Sequence, residues 1–285
     1  MRYLILGKNG MLGRDMEKVF HDEDYIALDM IDLDITDTNE VFETFMSIRP
    51  DYVINCAGYT DVDKAEQEQE KANEINGYAV GVLAKACREI DATLVHFSTD
   101  YVFDGSRKNG YNENDAPAPI NAYGRSKLLG ENLIFDEMDS LDELRPVEGK
   151  YFIIRTSWLF GDNGRNFVDT MLDLGGFKRE IKVVNDQFGK PTFTLDLAKQ
   201  TKWLIKSQEY PTGIYHITNE EETSWYDFAV EIFRLADMKA AVVPCATDDE
   251  PRPARRPKYS SLINNQLPKL RSWKEALSDF LAARK

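Results

Sequence analysis

The feature that most constrains this chain is the alternation of short apolar runs with longer amphipathic stretches. Six runs rich in β-branched and aromatic residues have the length of strands: residues 2–6, 25–28, 51–55, 92–98, 151–157 and 213–218. Segments with the apolar spacing of helices lie between them. Because continuous apolar strands joined by such helices indicate a parallel sheet covered on both faces, we predict an α/β fold with a doubly wound parallel sheet.

The regular alternation loosens after residue 160, which indicates a second, smaller unit. Helical patterns dominate there, and Ser272 with Glu275 three residues later forms a capping-box signature before the last of them. We predict a smaller α+β substrate domain in this half. The predicted boundaries place the sheet domain at 1–160, with 191–219 returning to it, and the smaller domain at 161–190 and 220–285.

Composition excludes several classes of partner. The formal net charge of −14 argues against nucleic acid, which requires a basic surface. No apolar run approaches the ~20 residues of a membrane span, so we expect no membrane association. The three cysteines, Cys56, Cys87 and Cys245, are odd in number and far apart, which predicts reduced thiols in a cytoplasm. No Cys/His cluster has metal-ligand spacing. The acidic segment 136–150 is interpreted as a solvated surface excursion.

A glycine-rich loop follows the first predicted strand. The stretch "GKNGMLG" places Gly7, Gly10 and Gly13 at three-residue spacing before a helical pattern. Such a loop lets backbone N–H groups approach a pyrophosphate, whose charge the helix N-terminus favours. The alternative is a tight turn without a ligand. The position at the first β-α junction favours a nucleotide-binding loop and a Rossmann-type sheet.

Small and polar residues also stand where the later strands end. Asp29, after the second strand, is placed to accept hydrogen bonds from an adenosine ribose, although a turn aspartate explains it as well. Open α/β sheets bind ligands at these carboxyl ends. The other residues at strand ends are Asp34 and Ile35, within reach of an adenine, Ala57 and Gly58, and Ser98, Thr99 and Asp100.

Tyr123 and Lys127 lie four positions apart in "NAYGRSKLLGE", at the start of the helical pattern after the fourth strand. This spacing puts both side chains on one helix face. Alone, it is typical of a solvated helix with an extended lysine. After a glycine loop and a Ser/Thr at a strand end, it is the Tyr-x-x-x-Lys pattern of the short-chain dehydrogenase/reductase superfamily.

The chain resembles the extended branch of that superfamily, and within it the dTDP-4-dehydrorhamnose reductase family. The resemblance covers nearly the whole chain. It implies NADH- or NADPH-dependent reduction of the 4-keto group of dTDP-4-dehydro-L-rhamnose to dTDP-L-rhamnose, for cell-surface polysaccharide. The motifs that carry it occur in the same order: "NCAGYTDVDKAE", "HFSTDYVFDG", "NAYGRSKLLGE", "RTSWLFG", "NDQFGKPT", "GIYHIT", "TSWYDFA" and "PARRPKYSSL".

The resemblance implies roles for individual residues. Tyr123 is the expected proton donor, and Lys127 is expected to lower its pKa toward neutrality and to contact the nicotinamide ribose. Thr99 supplies the third catalytic group, with Ser98 left open as an alternative. Cofactor contacts are expected at Gly7, Gly10, Met11, Leu12, Gly13, Asp29, Asp34, Ile35, Ala57, Gly58, Tyr59, Thr60, Tyr123 and Lys127. Substrate contacts are expected at Thr99, Asp100, Trp158, Arg255 and Arg256.

Three questions stay open in the sequence. Asp29 favours use of both cofactors, with NADH at least as good as NADPH, because a carboxylate repels a 2′-phosphate. Some relatives bind magnesium at a dimer interface, and both a monomer and a homodimer are compatible with the chain. The rival functions are a nucleotide-sugar dehydratase or epimerase, and a binding module resembling the methionine adenosyltransferase regulatory subunit. Tyr101, where dehydratases carry glutamate, disfavours dehydration.

Overall fold

The computed structural model describes residues 1–138 and 150–284. Most of the predicted excursion at 136–150 therefore lies outside the described residues. The strands are β1 (Arg2–Leu6), β2 (Asp24–Leu28), β3 (Tyr52–Asn55), β4 (Thr93–Thr99), β5 (Tyr151–Thr156), β6 (Leu159–Phe160), β7 (Glu180–Val184), β8 (Phe188–Gly189), β9 (Thr192–Phe193), β10 (Gly213–His216), β11 (Thr223–Ser224) and β12 (Ala241–Cys245).

The α-helices cover the sheet and form the smaller unit. Short 3₁₀ turns and one π-turn, Glu74–Tyr78, occur between them. The helices are α1 (Met11–Val19), α2 (Thr38–Ile48), α3 (Gln69–Asn73), α4 (Ala79–Glu89), α5 (Ala122–Met138), α6 (Phe167–Phe177), α7 (Thr194–Ser207), α8 (Trp225–Leu235) and α9 (Trp273–Ala282). Within the described residues, no helix combines the length and apolar character that crossing a membrane requires.

The central sheet confirms the predicted fold class. Its six strands are all parallel and stand in the order β10-β5-β4-β3-β1-β2. All six strands predicted from apolar runs are present in it. From β1 the chain forms β2 at one side, and it then crosses back to place β3 on the other side of β1. The direction in which strands are added therefore reverses between β1 and β3. Ligands of doubly wound sheets bind at such a switch point.

Two apolar layers enclose the sheet, because neighbouring residues of each strand point to opposite faces. Leu4 packs with Phe45 of α2 and Leu83 of α4 on one face. Ile5 packs with Met16 of α1 and with α7 on the other. Burial of each such side chain stabilises the fold by about 1.5–3 kcal/mol. Helices on both faces explain why these strands are continuously apolar.

A third apolar cluster lies beyond the sheet. It joins Phe160 and Phe193 to Phe228 of α8 and Phe280 of α9, and Trp273 contributes a fully buried ring. The parallel pair β7–β12 packs against α8. The capping box predicted at Ser272 is present, with its hydroxyl accepting a hydrogen bond from the Glu275 N–H. The division into two domains at the sequence-based boundaries stays a prediction.

Helix α5 lies unusually close to its neighbours, and this closeness sets the position of Tyr123 and Lys127. A Cβ atom at Gly124 would stand 2.1 Å from the carbonyl oxygen of Tyr101, and one at Gly130 would stand 2.2 Å from that of Asn76. Any side chain larger than hydrogen at either position would push the helix away. The two glycines therefore fix the distance between α5 and the ends of the sheet.

Candidate active site

A cleft of about 930 Å³ opens at the carboxyl ends of β1 to β5, beside the switch point. It brings together residues from eight separate stretches of the chain. Most residues that the sequence singles out line this cleft: Gly7, Gly10, Met11, Leu12, Asp29, Asp34, Ile35, Ala57, Gly58, Thr60, Ser98, Thr99, Asp100, Tyr123, Lys127 and Trp158.

The backbone of the glycine loop allows a ligand to approach closely, and its three glycines have different structural roles. Gly7 has a left-handed backbone with φ of 78°, and a Cβ there would meet the backbone nitrogen of Ala57 at 2.7 Å. Gly10 is the N-cap residue just before α1 and has no side chain to cap the helix. The first N–H groups of α1 are therefore left for a ligand. Gly13 is not among the cleft residues. Its missing Cβ, 2.1 Å from the carbonyl oxygen of Gly7, lets the helix close onto the loop.

Asp29 combines the two roles that its sequence position allowed. Its Oδ2 accepts a hydrogen bond from the Asn9 N–H at 2.8 Å and its Oδ1 accepts one from the Met30 N–H at 2.9 Å. These bonds fix the carboxylate at the cleft, and each oxygen keeps a further lone pair for a ribose hydroxyl. The nearby cation Lys8 is paired with Asp32 at 2.7 Å. The arrangement fits a ribose diol.

The two candidate hydroxyls at the end of β4 have different surroundings. Ser98 donates its hydrogen bond to the buried carboxylate of Glu131. The Thr99 hydroxyl accepts a hydrogen bond from the Tyr101 N–H at 3.1 Å and donates one to Asp100 at 3.0 Å. The side chains of Thr99 and Tyr123 are also hydrogen-bonded. These contacts favour Thr99 over Ser98 as the hydroxyl that meets a substrate.

The phenol of Tyr123 does not have the lowered pKa that the sequence suggests. Desolvation, and then the negative charge of Asp100, raise the pKa of Tyr123 to about 12, against the lowering effect of the Thr99 hydrogen bond. The expectation failed because neither the burial nor the neighbouring carboxyl is visible in the Tyr-x-x-x-Lys spacing. Desolvation likewise raises the pKa of Asp100 to about 7. A phenol with this pKa carries its proton at neutral pH.

Lys127 is buried beneath the cleft and holds a positive charge there. Its Nζ donates a hydrogen bond to the carbonyl oxygen of Phe97 at 3.1 Å. Burial lowers the pKa of Lys127 to about 8, while Glu131 and Cys56 oppose that lowering. A Cβ atom at Gly58 would stand 3.0 Å from this Nζ, so the glycine keeps the ammonium open to the cleft. The cleft is thus lined by both a protonated phenol and a lysine cation.

Asn76, in the π-turn, supports the site and escaped the sequence analysis. Its side-chain amide accepts a hydrogen bond from the Tyr59 N–H at 2.8 Å and donates to the Tyr59 carbonyl at 2.9 Å. It also donates to Ser126 at 3.0 Å, whose hydroxyl in turn donates to the Tyr123 carbonyl at 2.8 Å. Tyr59, an expected cofactor residue, is therefore held by its backbone and is not among the cleft residues.

Trp158 forms one wall of the cleft and also packs against the protein. Its backbone is left-handed, with φ of 49°, which is uncommon for a bulky residue. Its ring stacks on Trp225 with centroids 3.6 Å apart and planes 6° apart. A Cβ atom at Gly189 would fall 2.6 Å from the ring. Trp225 also lines the cleft, a role that its place inside an amphipathic helix pattern concealed.

The predicted arginines of the basic island do not line the cleft. Arg256 forms an ion pair with Asp63 that includes an Nη2–Oδ2 contact of 2.7 Å. Arg255 is exposed, and its carbonyl accepts a hydrogen bond from Asn121 at 2.9 Å. A different cation, Arg165, stands at the cleft wall with Asn163 and Gly164.

Metal-ligand geometry is absent from the part of the chain that the structure covers. Across residues 1–138 and 150–284, no three His, Cys, Asp or Glu side chains are grouped so that they could hold an ion. A magnesium ion between two subunits stays a prediction.

Nicotinamide-dependent oxidoreductases of the short-chain dehydrogenase/reductase class combine this glycine loop, parallel sheet and Tyr-x-x-x-Lys helix. A family model described as the RmlD substrate binding domain matches residues 1–285. The chain belongs to the dTDP-4-dehydrorhamnose reductase family.

Solved structures and curated relatives agree on this family. The crystal structure of a dTDP-4-dehydrorhamnose reductase from Clostridium acetobutylicum is 44% identical, with a TM-score of 0.92, and covers 100% of this chain and 99% of its own. That of a Bacillus anthracis dTDP-4-dehydrorhamnose reductase in complex with NADP is 40% identical, with a TM-score of 0.92 and 99% coverage of both chains. The Escherichia coli dTDP-4-dehydrorhamnose reductase is 37% identical over 93% of this chain and 90% of its own.

Proposed function

We propose that this chain reduces the 4-keto group of dTDP-4-dehydro-L-rhamnose to give dTDP-L-rhamnose, with NADPH or NADH as reductant, for polysaccharide synthesis. The observation that carries the proposal is the protonated phenol of Tyr123 near Thr99, one helical turn from the buried Lys127 cation, in a cleft that begins at a glycine loop. The named relatives, with identities of 37–44%, support the substrate class.

The residues of this chain divide the work of the reduction. The reduced nicotinamide supplies a hydride to the carbonyl carbon. Tyr123 gives its phenolic proton to the carbonyl oxygen, so the C=O double bond becomes an alcohol and no charge remains on the sugar. The Lys127 ammonium stabilises the resulting tyrosinate until solvent returns the proton. Thr99 orients the carbonyl, and the glycine loop with the α1 N-terminus binds the cofactor diphosphate.

The direct test is consumption of reduced nicotinamide in the presence of the purified 4-keto sugar nucleotide, with the product identified by chromatography. Formation of dTDP-L-rhamnose is the expected result. Loss of water from a dTDP-hexose without net cofactor use would indicate a dehydratase. Tight binding of cofactor without turnover would favour a binding module. The first outcome separates the proposed function from both rivals.

Asp29 is expected to make NADH at least as good a cofactor as NADPH. Its carboxylate accepts from a ribose diol and repels a 2′-phosphate. Asp29→Ala should weaken NADH binding and shift the ratio of kcat/KM values toward NADPH by roughly tenfold, which corresponds to about 1.4 kcal/mol. Steady-state kinetics with both cofactors measure this ratio.

Asp24→Ala provides the matched control for Asp29. Asp24 lies at the other end of β2 and pairs with Arg2, and it does not line the cleft. Its loss should leave NADH kinetics unchanged. A wild-type enzyme that prefers NADPH by a hundredfold would contradict the placement of the ribose at Asp29.

Arg255 and Arg256 are expected to have different roles, the first in substrate binding and the second in stability. We propose that Arg255, exposed and without an ion pair to any described residue, binds the dTDP diphosphate. Arg255→Ala should raise the substrate KM by roughly 10- to 100-fold, as expected for a lost charge-assisted hydrogen bond. Arg256→Ala should instead lower stability, because it leaves the carboxylate of Asp63 without its closest partner.

Kinetics and urea denaturation of both variants distinguish these roles. The cofactor KM serves as the internal reference, since neither arginine is proposed to contact the cofactor. Small and equal effects on the substrate and cofactor KM in both variants would mean that the basic island is a solvated loop.

A further inference from the structure

Glu131 is a buried carboxylate that the proposed reaction does not use directly. It is 0% exposed and accepts hydrogen bonds from three side-chain groups on two strands. Arg155 donates from Nε to Oε1 at 3.0 Å and from Nη2 to Oε2 at 2.6 Å, and Ser98 donates its hydroxyl to Oε1. Arg155 is only 1% exposed. Such a charge is costly to bury, and the three hydrogen bonds that its two oxygens accept offset part of that cost.

The position of Glu131 connects this pair to the active site. Ser98 and Arg155 are register partners across β4 and β5. Glu131 follows Lys127 by four residues on α5, as Lys127 follows Tyr123, so the three share one helix face. The carboxylate therefore anchors α5 to the two strands next to the catalytic groups. Thr99 and Thr156 are the next register pair along β4 and β5.

We propose that Glu131 is a positioning residue for the reduction: its carboxylate keeps Lys127 in the ammonium form and locks the Tyr123–Lys127 face of α5 against β4 and β5. This inference rests on the proposed function, because it assigns Glu131 a task at that same site. It also extends the active site one helical turn beyond the Tyr-x-x-x-Lys pair.

The charges around Lys127 support this role. On its own helix, Glu131 favours the ammonium, and Tyr123 is neutral. From β4, His96 faces the lysine, but burial and then Lys127 lower the pKa of His96 well below 6.5, so it is uncharged. The thiol of Cys56, after β3, has its pKa raised by burial and is uncharged as well.

The groups one layer further away do not replace Glu131. Arg155, on β5, lies behind the Glu131 carboxylate, and Asp100 is a neighbour of Tyr123. Among the charges that raise the pKa of Lys127, that of Glu131 has the largest effect. Since burial already lowers the pKa of Lys127 to about 8, loss of the Glu131 charge would lower it further. The lysine would then lose its proton near neutral pH.

A purely structural ion pair would behave differently. Breaking a buried pair from one side destabilises a protein strongly, whereas replacing both partners with uncharged residues is often tolerated. Stability would then change without any effect on the pH dependence of the active site. The pH dependence of cofactor binding, which Lys127 controls through the nicotinamide ribose, separates the two roles.

The experiment measures the Kd for NADPH by fluorescence titration between pH 6 and pH 10, in wild type and four variants. In wild type, affinity should weaken as pH rises through about 8, where Lys127 loses its proton. In Glu131→Gln and in the double variant Glu131→Gln/Arg155→Met, this weakening should occur at a pH roughly one unit lower. Glu131→Asp, which keeps the charge, should restore the wild-type profile.

Glu113→Gln is the matched control. Glu113 is another buried carboxylate, and it accepts a hydrogen bond from the Asn265 N–H at 3.1 Å, away from the cleft. Its profile should match wild type. If Glu131→Gln does not fold, the double variant decides, since it leaves no unpaired buried charge. A wild-type profile in the folded double variant overturns the inference, as does a wild type whose affinity is independent of pH.

Turnover of the 4-keto sugar nucleotide is measured in parallel, so that the two proposals fail separately. A wild type that binds NADPH with the Glu131-dependent profile, yet reduces no sugar, keeps this inference and overturns the proposed function. If the wild type reduces the sugar but the double variant keeps the wild-type pH profile, the proposed function is supported and this inference is overturned. A wild type that binds neither NADPH nor NADH overturns both.

Discussion

Tyr123→Phe is expected to lower kcat by about 10²–10⁴-fold, the usual contribution of a general acid, while the Kd for NADPH stays within about twofold of wild type. The substitution removes the phenolic proton and keeps the ring. The tyrosine has its pKa raised to about 12, so its protonated form persists across neutral pH. The alkaline loss of kcat in wild type should therefore follow Lys127, with its pKa of about 8, and not Tyr123.

Tyr78→Phe is the control for this prediction. Tyr78 is 61% exposed at the end of the π-turn and does not line the cleft, so its hydroxyl should be dispensable. Single-turnover measurements with bound NADPH give the rate of reduction itself. A Tyr123→Phe enzyme that turns over near the wild-type rate would remove Tyr123 from the mechanism.

Lys127→Met is expected to change activity and stability in opposite directions. Activity should fall by at least about 10²-fold, because the tyrosinate formed in the reaction loses its stabilising cation. The folded-state pKa of about 8 lies below the ordinary 10.5 of lysine, so burial of the charge costs the native state about 3 kcal/mol at neutral pH. Met removes that cost and should raise the free energy of unfolding by about 1–3 kcal/mol.

The pH dependence supplies a second test of Lys127. Between the folded pKa near 8 and the unfolded pKa near 10.5, the unfolded chain binds more protons. This lysine therefore makes wild-type stability rise with pH over that range, and the Met variant should lack its contribution. Urea denaturation at pH 7 and pH 10 measures both effects. Lys85→Met, at an exposed position on α4, is the control. Destabilisation by Lys127→Met would contradict the argument.

The central sheet could be read from the sequence because burial on both faces leaves an unmistakable signal. The run at Arg2–Leu6 matches its strand, and the run predicted at 213–218 overshoots β10 by two residues. The two-residue strands β6, β8, β9 and β11 could not be foreseen. They are too short for any periodicity, and their pairing depends on how distant segments meet.

The residues of the site were predictable where they follow a strand end or lie in the first turns of the next helix. Asp29 and Thr99 line the cleft because parallel strands carry their carboxyl ends to one edge. The wall residues Arg165 and Trp225 belong to segments whose place depends on the tertiary fold. The ion pair of Arg256 could not be foreseen for the same reason, since its partner Asp63 is 193 positions away.

The raised pKa of Tyr123 illustrates a second limit. A lysine one helical turn away suggests a lowered pKa, but desolvation and the Asp100 charge act through space and in the opposite direction. The hydrogen-bonding environment also favours Thr99 over Ser98, because neighbouring strand residues face opposite sides of the sheet. Spacing identifies which residues meet, while their ionisation depends on what else surrounds them.

The late position of β10 has a consequence for synthesis on the ribosome. β5 ends at Thr156, and the strand that covers its outer edge begins only at Gly213. At 5–20 residues per second, translation of the intervening segment takes about 3–11 s. During that time the nascent chain presents the open edge of an apolar parallel strand, which is a template for pairing with another chain. The interval between synthesis of β5 and synthesis of β10 should therefore be the stage at which co-translational aggregation begins.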